Sequence, residues 1–99
     1  MDDIQVHQAI LARDIIDMAR DNADNADILE YIESLCWELF LIFREQQKTA
    51  IDWSVLHGAY DQRYIALREG RKTEDLSEVN TIYAKATIVI ENYYQKDNS

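Results

Sequence analysis

Residues 28–43 have the sequence ILEYIESLCWELFLIF, the most apolar run of the chain, in which 12 of 16 residues are hydrophobic. This run is shorter than the roughly 20 residues that a helix needs to cross a bilayer. Three glutamates also interrupt it, and charged side chains are costly inside a membrane. We therefore interpret the run as a central helix buried in a small protein core, and we expect no membrane contact.

Apolar residues in this run and in three further segments recur mostly at intervals of three and four, which places each set on one face of a helix. Residues 87–90 are β-branched throughout and would suit a strand, but the helical spacing continues through them. The four predicted stripes are Ile4, Leu11, Ile15 and Met18; Ile28, Ile32, Leu35, Leu39 and Phe43; Trp53, Leu56, Tyr60, Tyr64 and Leu67; and Leu76, Val79, Tyr83, Ala86, Ile90 and Tyr93.

Capping residues indicate where these segments begin and end. Residues 21–27, with the sequence DNADNAD, supply short polar side chains that interrupt a helix and cap the next one. Thr49 or Asp52 suits the start of the third helix, Gly70 its end, and Thr73 the start of the fourth. We predict an all-α fold in which residues 1–99 form a single domain, a four-helix antiparallel bundle with helices near 3–20, 26–47, 51–69 and 74–95.

Composition excludes several other classes of protein. The 99 residues are 47% hydrophobic and 29% charged, which suffices for one small core. Proline is absent and there are two glycines, too few turn residues for a β-rich domain. Cys36 is the single cysteine, so a disulfide framework is excluded and a reducing compartment is favoured. We expect a cytoplasmic protein in which Cys36 is an inert core thiol.

Acidic residues are concentrated in one window of the chain. There are 19 acids against 10 bases, a formal net charge of −9, which opposes direct binding to nucleic acid. Residues 14–38 hold eight of these acids and one base. We interpret this window as a surface that binds a basic protein target, with a purely solubilising face as the alternative. The predicted partner-binding residues are Asp14, Asp17, Asp21, Asp24, Asp27, Glu30, Glu33 and Trp37.

Aromatic residues that lie off the predicted stripes, or only at the end of one, are candidate interface anchors, because large amphipathic rings contribute much of the binding energy at interfaces. The candidates are Trp37, Trp53, Tyr31 and Tyr94.

No motif in the sequence names a reaction, and we predict no catalytic residue, cofactor or metal. Each histidine has an acid four residues away, Asp3 before His7 and Asp61 after His57. One such pair offers too few ligands for a metal site.

Two alternative functions stay open at this point. Glu30 and Glu33 match the first half of the paired acidic motifs with which an all-α nucleotide pyrophosphohydrolase holds magnesium, but a second half does not follow. The other alternative is a structural or regulatory subunit that forms a homodimer through leftover apolar helix faces.

A small acidic helical protein with aromatic anchors is similar in profile to the immunity proteins that neutralise nuclease toxins. The Tyr93-Tyr94 pair resembles a tyrosine pair in one colicin-immunity group, whereas the acidic turn and proline pattern of that group are missing here. The resemblance therefore implies no residue roles. We expect a non-enzymatic inhibitor or immunity-type protein that covers a basic site on its target, in the manner of a nucleic-acid mimic, with a nuclease or another nucleic-acid-acting protein as the target class.

Overall fold

The structure is a computed structural model that describes residues 3–46, 49–72 and 76–97, with side chains described as far as residue 95. Those residues contain four helices and no strand, which confirms the all-α prediction. The helices are α1 Asp3–Asp21, α2 Ala26–Phe43, α3 Trp53–Arg68 and α4 Ser77–Asp97.

The four helices form two antiparallel pairs, α1 with α4 and α2 with α3. In the first pair, Tyr93 Oη donates to Asp3 Oδ1 (3.0 Å), and Arg20 Nη2 donates to Asn80 Oδ1 (3.2 Å). The start of α1 therefore lies beside the end of α4. The two pairs share one hydrophobic core, although α1 contacts α2 little and α3 contacts α4 little. The predicted four-helix antiparallel bundle is confirmed.

The buried face of α1 differs from the predicted stripe. Ile15 is buried as predicted, but Ile4, Leu11 and Met18 are exposed, and the helix also buries Val6, Ile16 and the alanines at positions 9, 12 and 19. That part of the prediction was wrong, because alanine carries little weight in a pattern built from large side chains. The residues of the other three stripes are all buried or half-buried, as predicted.

α2 ends at Phe43, four residues before its predicted end. The hydroxyl of Thr49 donates to the Phe43 carbonyl oxygen (3.2 Å), which satisfies one of the carbonyls that a helix terminus leaves unpaired. Thr49 therefore serves the end of α2 rather than the start of α3. The N-cap of α3 is Asp52, whose side chain accepts a hydrogen bond from the Val55 N–H (3.2 Å).

The other predicted caps lie at the ends of α2 and α3. Asn25 is the N-cap of α2 and accepts from the Ile28 N–H (3.2 Å). Gly70 follows α3 with a φ of +70°, and the next N–H, of Arg71, donates to the Ala66 carbonyl (2.8 Å). This is the Schellman arrangement that a left-handed glycine permits.

α4 begins at Ser77, three residues later than predicted, and the proposed cap Thr73 lies outside the described residues. Residues 87–90 are helical, so the three-and-four spacing outweighs their β-branched composition. None of the described helices, the apolar α2 included, is long and apolar enough to span a membrane.

Candidate functional site

The acids of α1 and of the turn that follows it lie in solvent. Arg20 Nη1 lies 3.6 Å from Asp17 Oδ1, and the Tyr83 hydroxyl donates to Asp17 Oδ2 (3.4 Å). Asp14, Asp21 and Asp24 form no ion pair with any residue that the structure describes. Their carboxylates are therefore available to a cation outside the chain. The exposed acids of this region are Asp14, Asp17, Asp21 and Asp24.

Asp27 and Glu30, in the first half of α2, share one cation. Their side chains are 93% and 54% exposed, and Arg68 Nη2 lies 3.8 Å from a carboxylate oxygen of each. Exposed ion pairs of this kind contribute about 0–1 kcal/mol to stability. The Tyr64 hydroxyl donates to Glu30 Oε2 (2.5 Å), and this hydrogen bond raises the pKa of Tyr64 above its ordinary value.

Glu33 lies in a different environment from the other predicted acids. Its side chain is 20% exposed, and Glu33 Oε1 lies 2.7 Å from His57 Nε2, a hydrogen bond that joins α2 to α3. Glu33 therefore points toward α3 and is not part of the exposed acidic surface.

The exposed acids of α1 and those of α2 lie beside different helices. Asp17 interacts with Tyr83 on α4, whereas Glu30 interacts with Tyr64 on α3. The turn between α1 and α2 connects the two groups along the chain. We define the acidic surface as six exposed acids from the second half of α1, the turn and the first half of α2, which are Asp14, Asp17, Asp21, Asp24, Asp27 and Glu30.

Glu33, His57 and Asp61 form a cluster that sequence analysis missed. One ligand atom of each residue lies within 4.8 Å of the others, and all three residues are partly buried. The spacing of His57 and Asp61 is visible in the sequence, but Glu33 joins them only through the register of α2 against α3. One imidazole and two carboxylates are ligand types that bind divalent metals.

The aromatic candidates fall into two groups. Trp53 is buried, with 2% of its surface exposed, and its indole N–H donates to a buried glutamine, so it belongs to the core. Trp37, Tyr31 and Tyr94 are 44%, 59% and 53% exposed. The Trp37 ring also contacts the His57 ring, with 5.1 Å between the centroids, so it borders the cluster as well as solvent.

Cys36 occupies the predicted core position on α2 and is fully buried. Burial, and then the negative charge of Glu33, raises the pKa of its thiol to about 12. The thiol is therefore protonated at neutral pH, and a protonated thiol is a poor nucleophile and a poor metal ligand.

Two features among the described residues are suited to bind something outside the chain: the acidic surface and the Glu33–His57–Asp61 cluster. Comparison with protein-family models, with curated proteins and with solved structures gives no match to the chain. Function is therefore inferred from the chemistry of these features and of the exposed aromatic and aliphatic side chains.

Proposed function

We propose that the protein is a non-enzymatic interaction module of the inhibitor or immunity type, whose acidic surface covers a basic site on a protein target. The observation that carries this proposal is the exposure of Asp14, Asp21 and Asp24 without an ion pair among the described residues. Like charges at helical spacings cost a few tenths of a kcal/mol per pair in the free protein. A cationic partner surface removes that repulsion.

Proteins that act on nucleic acids present basic surfaces that attract phosphates, and a surface of carboxylates carries the same sign of charge as a phosphate backbone. A nuclease or another nucleic-acid-acting protein is therefore the target class that fits best. Opposite charges raise the association rate of two proteins, and salt reduces this effect. The formal net charge of −9 adds a long-range attraction to any basic partner.

Exposed aromatic rings on α2 supply the second part of the binding energy. Tyr31 directly follows Glu30 of the acidic surface, and Trp37 lies about two turns beyond Glu30 on the same helix. Burial of such rings in a partner's pocket contributes more than exposed ion pairs do, and it slows dissociation. The charges then steer the encounter, and the rings hold the complex. The free, buried Cys36 suits the cytoplasmic location that the proposal includes.

A triple variant tests the acidic surface. Asp14→Asn, Asp21→Asn and Asp24→Asn together remove three charges without breaking any described hydrogen bond or ion pair. The matched control removes three exposed acids elsewhere, through Glu45→Gln, Glu78→Gln and Glu91→Gln. The tagged wild type and both variants are incubated with source-cell lysate, and bound proteins are eluted with increasing salt. The captured partner is then purified for rate measurements.

We expect the wild type and the control variant to retain a basic protein that salt releases, and we expect the triple variant to bind that protein at least about tenfold more slowly. The proposal is wrong if the triple variant associates as fast as the control variant, or if the wild type retains no basic protein.

Exposed aliphatic residues favour a second candidate function, that of a subunit that forms a homodimer. Leu41, Ile42 and Ile88 are large aliphatic residues that are 40%, 61% and 55% exposed. An apolar side chain of this size gains about 1.5–3 kcal/mol when it moves from full exposure to full burial, so each of these half-exposed residues gains roughly half of that in an interface.

A further inference from the structure

We propose that Glu33, His57 and Asp61 bind one divalent transition-metal ion, such as Zn²⁺, between α2 and α3. The site does not depend on the proposed function, because none of its three residues belongs to the acidic surface. It also differs from the magnesium motif of a pyrophosphohydrolase, because it uses an imidazole and includes Glu33 without Glu30.

The spacing of the three side chains suits a metal. Ligand atoms around a tetrahedral zinc ion lie roughly 3.4 Å apart, since each bond is about 2.0–2.2 Å long. The ligand atoms of the cluster lie within 4.8 Å of one another, and Glu33 Oε1 lies 2.7 Å from His57 Nε2. Side-chain movements of about 1.5 Å or less therefore bring the three atoms to bonding distance.

The charges of the cluster also favour a cation. Two carboxylates converge on one imidazole in a partly buried place, and Asp61 forms no ion pair with a described lysine or arginine. Two negative charges this close repel each other, and partial burial strengthens the repulsion. A divalent cation compensates both charges, so metal and ligands together are neutral when His57 binds as the free imidazole.

The ligand set indicates which metals fit. Imidazole nitrogen suits zinc and its neighbours among the first-row transition metals, whereas magnesium and calcium favour sites built from oxygen alone. The protonated thiol of Cys36 lies outside the cluster. Three protein ligands leave one position of a tetrahedral ion for water or for a donor group of a bound molecule.

Titration of the full chain with Co²⁺ and Zn²⁺ tests the site. Co²⁺ reports tetrahedral coordination through its visible absorption, and the nearby ring of Trp37 reports the ion through quenching of its fluorescence. Calorimetry with Zn²⁺ gives the affinity and the stoichiometry, and Mg²⁺ serves as a competitor. The test variants are His57→Gln and Asp61→Asn.

The matched control is His7→Gln. His7 has an acid, Asp3, at the same four-residue spacing on a helix, but no third ligand joins this pair within the described residues. We expect one ion per chain in the wild type and in the control variant, a loss of affinity of about 100-fold or more in both test variants, and no displacement by excess Mg²⁺. Circular dichroism without metal checks that each variant is folded.

A third variant, Glu33→Gln, keeps an acceptor for the hydrogen bond to His57 and tests the α2 ligand without removing the contact between the helices. Absence of a tetrahedral Co²⁺ spectrum in the wild type overturns the proposal. Binding that survives in folded His57→Gln, Asp61→Asn or Glu33→Gln, or that is lost in His7→Gln, also overturns it, because the ion then binds elsewhere. Capture of a basic partner is a separate measurement, so each proposal can fail alone.

Discussion

At the scale of single residues, Gln8 is the polar side chain that α1 contributes to the buried interior. It is fully buried, and its Oε1 accepts a hydrogen bond from the Trp53 indole N–H (3.0 Å), which joins α1 to α3. Its Nε2 has no hydrogen-bond partner among the described residues. The residue therefore satisfies one buried donor and leaves another unpaired, and each buried polar group without a partner costs about 1–3 kcal/mol.

Replacing Gln8 by Ala removes the acceptor of the indole N–H and leaves a small cavity. We expect the free energy of unfolding to fall by about 2–4 kcal/mol, measured by urea denaturation. The control Gln62→Ala, at an exposed position of α3, changes it by no more than about 0.5 kcal/mol.

The double variant Gln8→Leu with Trp53→Phe separates the hydrogen bond from packing. Both polar groups then disappear, and we expect this variant to be more stable than the sum of the two single effects predicts. A Gln8→Ala variant as stable as the control would contradict a stabilising role for the contact.

At the scale of the helices, the two glycines have opposite roles. Gly70 adopts a φ of +70° after α3, where a side chain is strained, whereas Gly58 lies inside α3, where an added methyl group would meet no atom within 4 Å. We expect Gly70→Ala to lower the free energy of unfolding by about 1–2 kcal/mol, and Gly58→Ala to raise it by about 0.5–1 kcal/mol. Thermal and urea unfolding of both variants measure these changes. Equal effects in the same direction would be inconsistent with the backbone geometry at Gly70.

The positions of the helices could be predicted from residues close together in the sequence. The contacts between helices could not, because they depend on how one helix is aligned against another. The caps at Asn25, Asp52 and Gly70 depend on residues within a few positions of one another, so sequence spacing predicted them. The buried face of α1 was only partly predicted, because alanines supply half of its buried apolar residues. Glu33 was predicted to be an exposed partner-binding residue like its neighbours, but it faces His57 because α2 and α3 align these two residues. No pattern along one helix specifies that alignment.

At the scale of the whole molecule, substitution of the exposed aliphatic residues tests whether the protein forms a homodimer, the second candidate function. If the chain forms a homodimer through them, its melting temperature rises with protein concentration, since association stabilises the folded state. We then expect Ile42→Gln with Ile88→Gln to give a monomer in sedimentation experiments. The control variant Glu45→Gln with Glu91→Gln keeps the dimer. A monomeric wild type at the highest soluble concentration would eliminate this candidate.

The pairing of the helices also sets the order in which the molecule can assemble. The described side-chain contacts between α2 and α3 join residues 10 to 41 positions apart, whereas those between α1 and α4 span 60 to 90 positions. Closing long loops slows folding, so the α2–α3 hairpin is the natural nucleus. During synthesis on the ribosome, α1 emerges before α4, its main partner, with α2 and α3 in between. Until α4 emerges, the apolar side of α1 is a surface that chaperones can recognise.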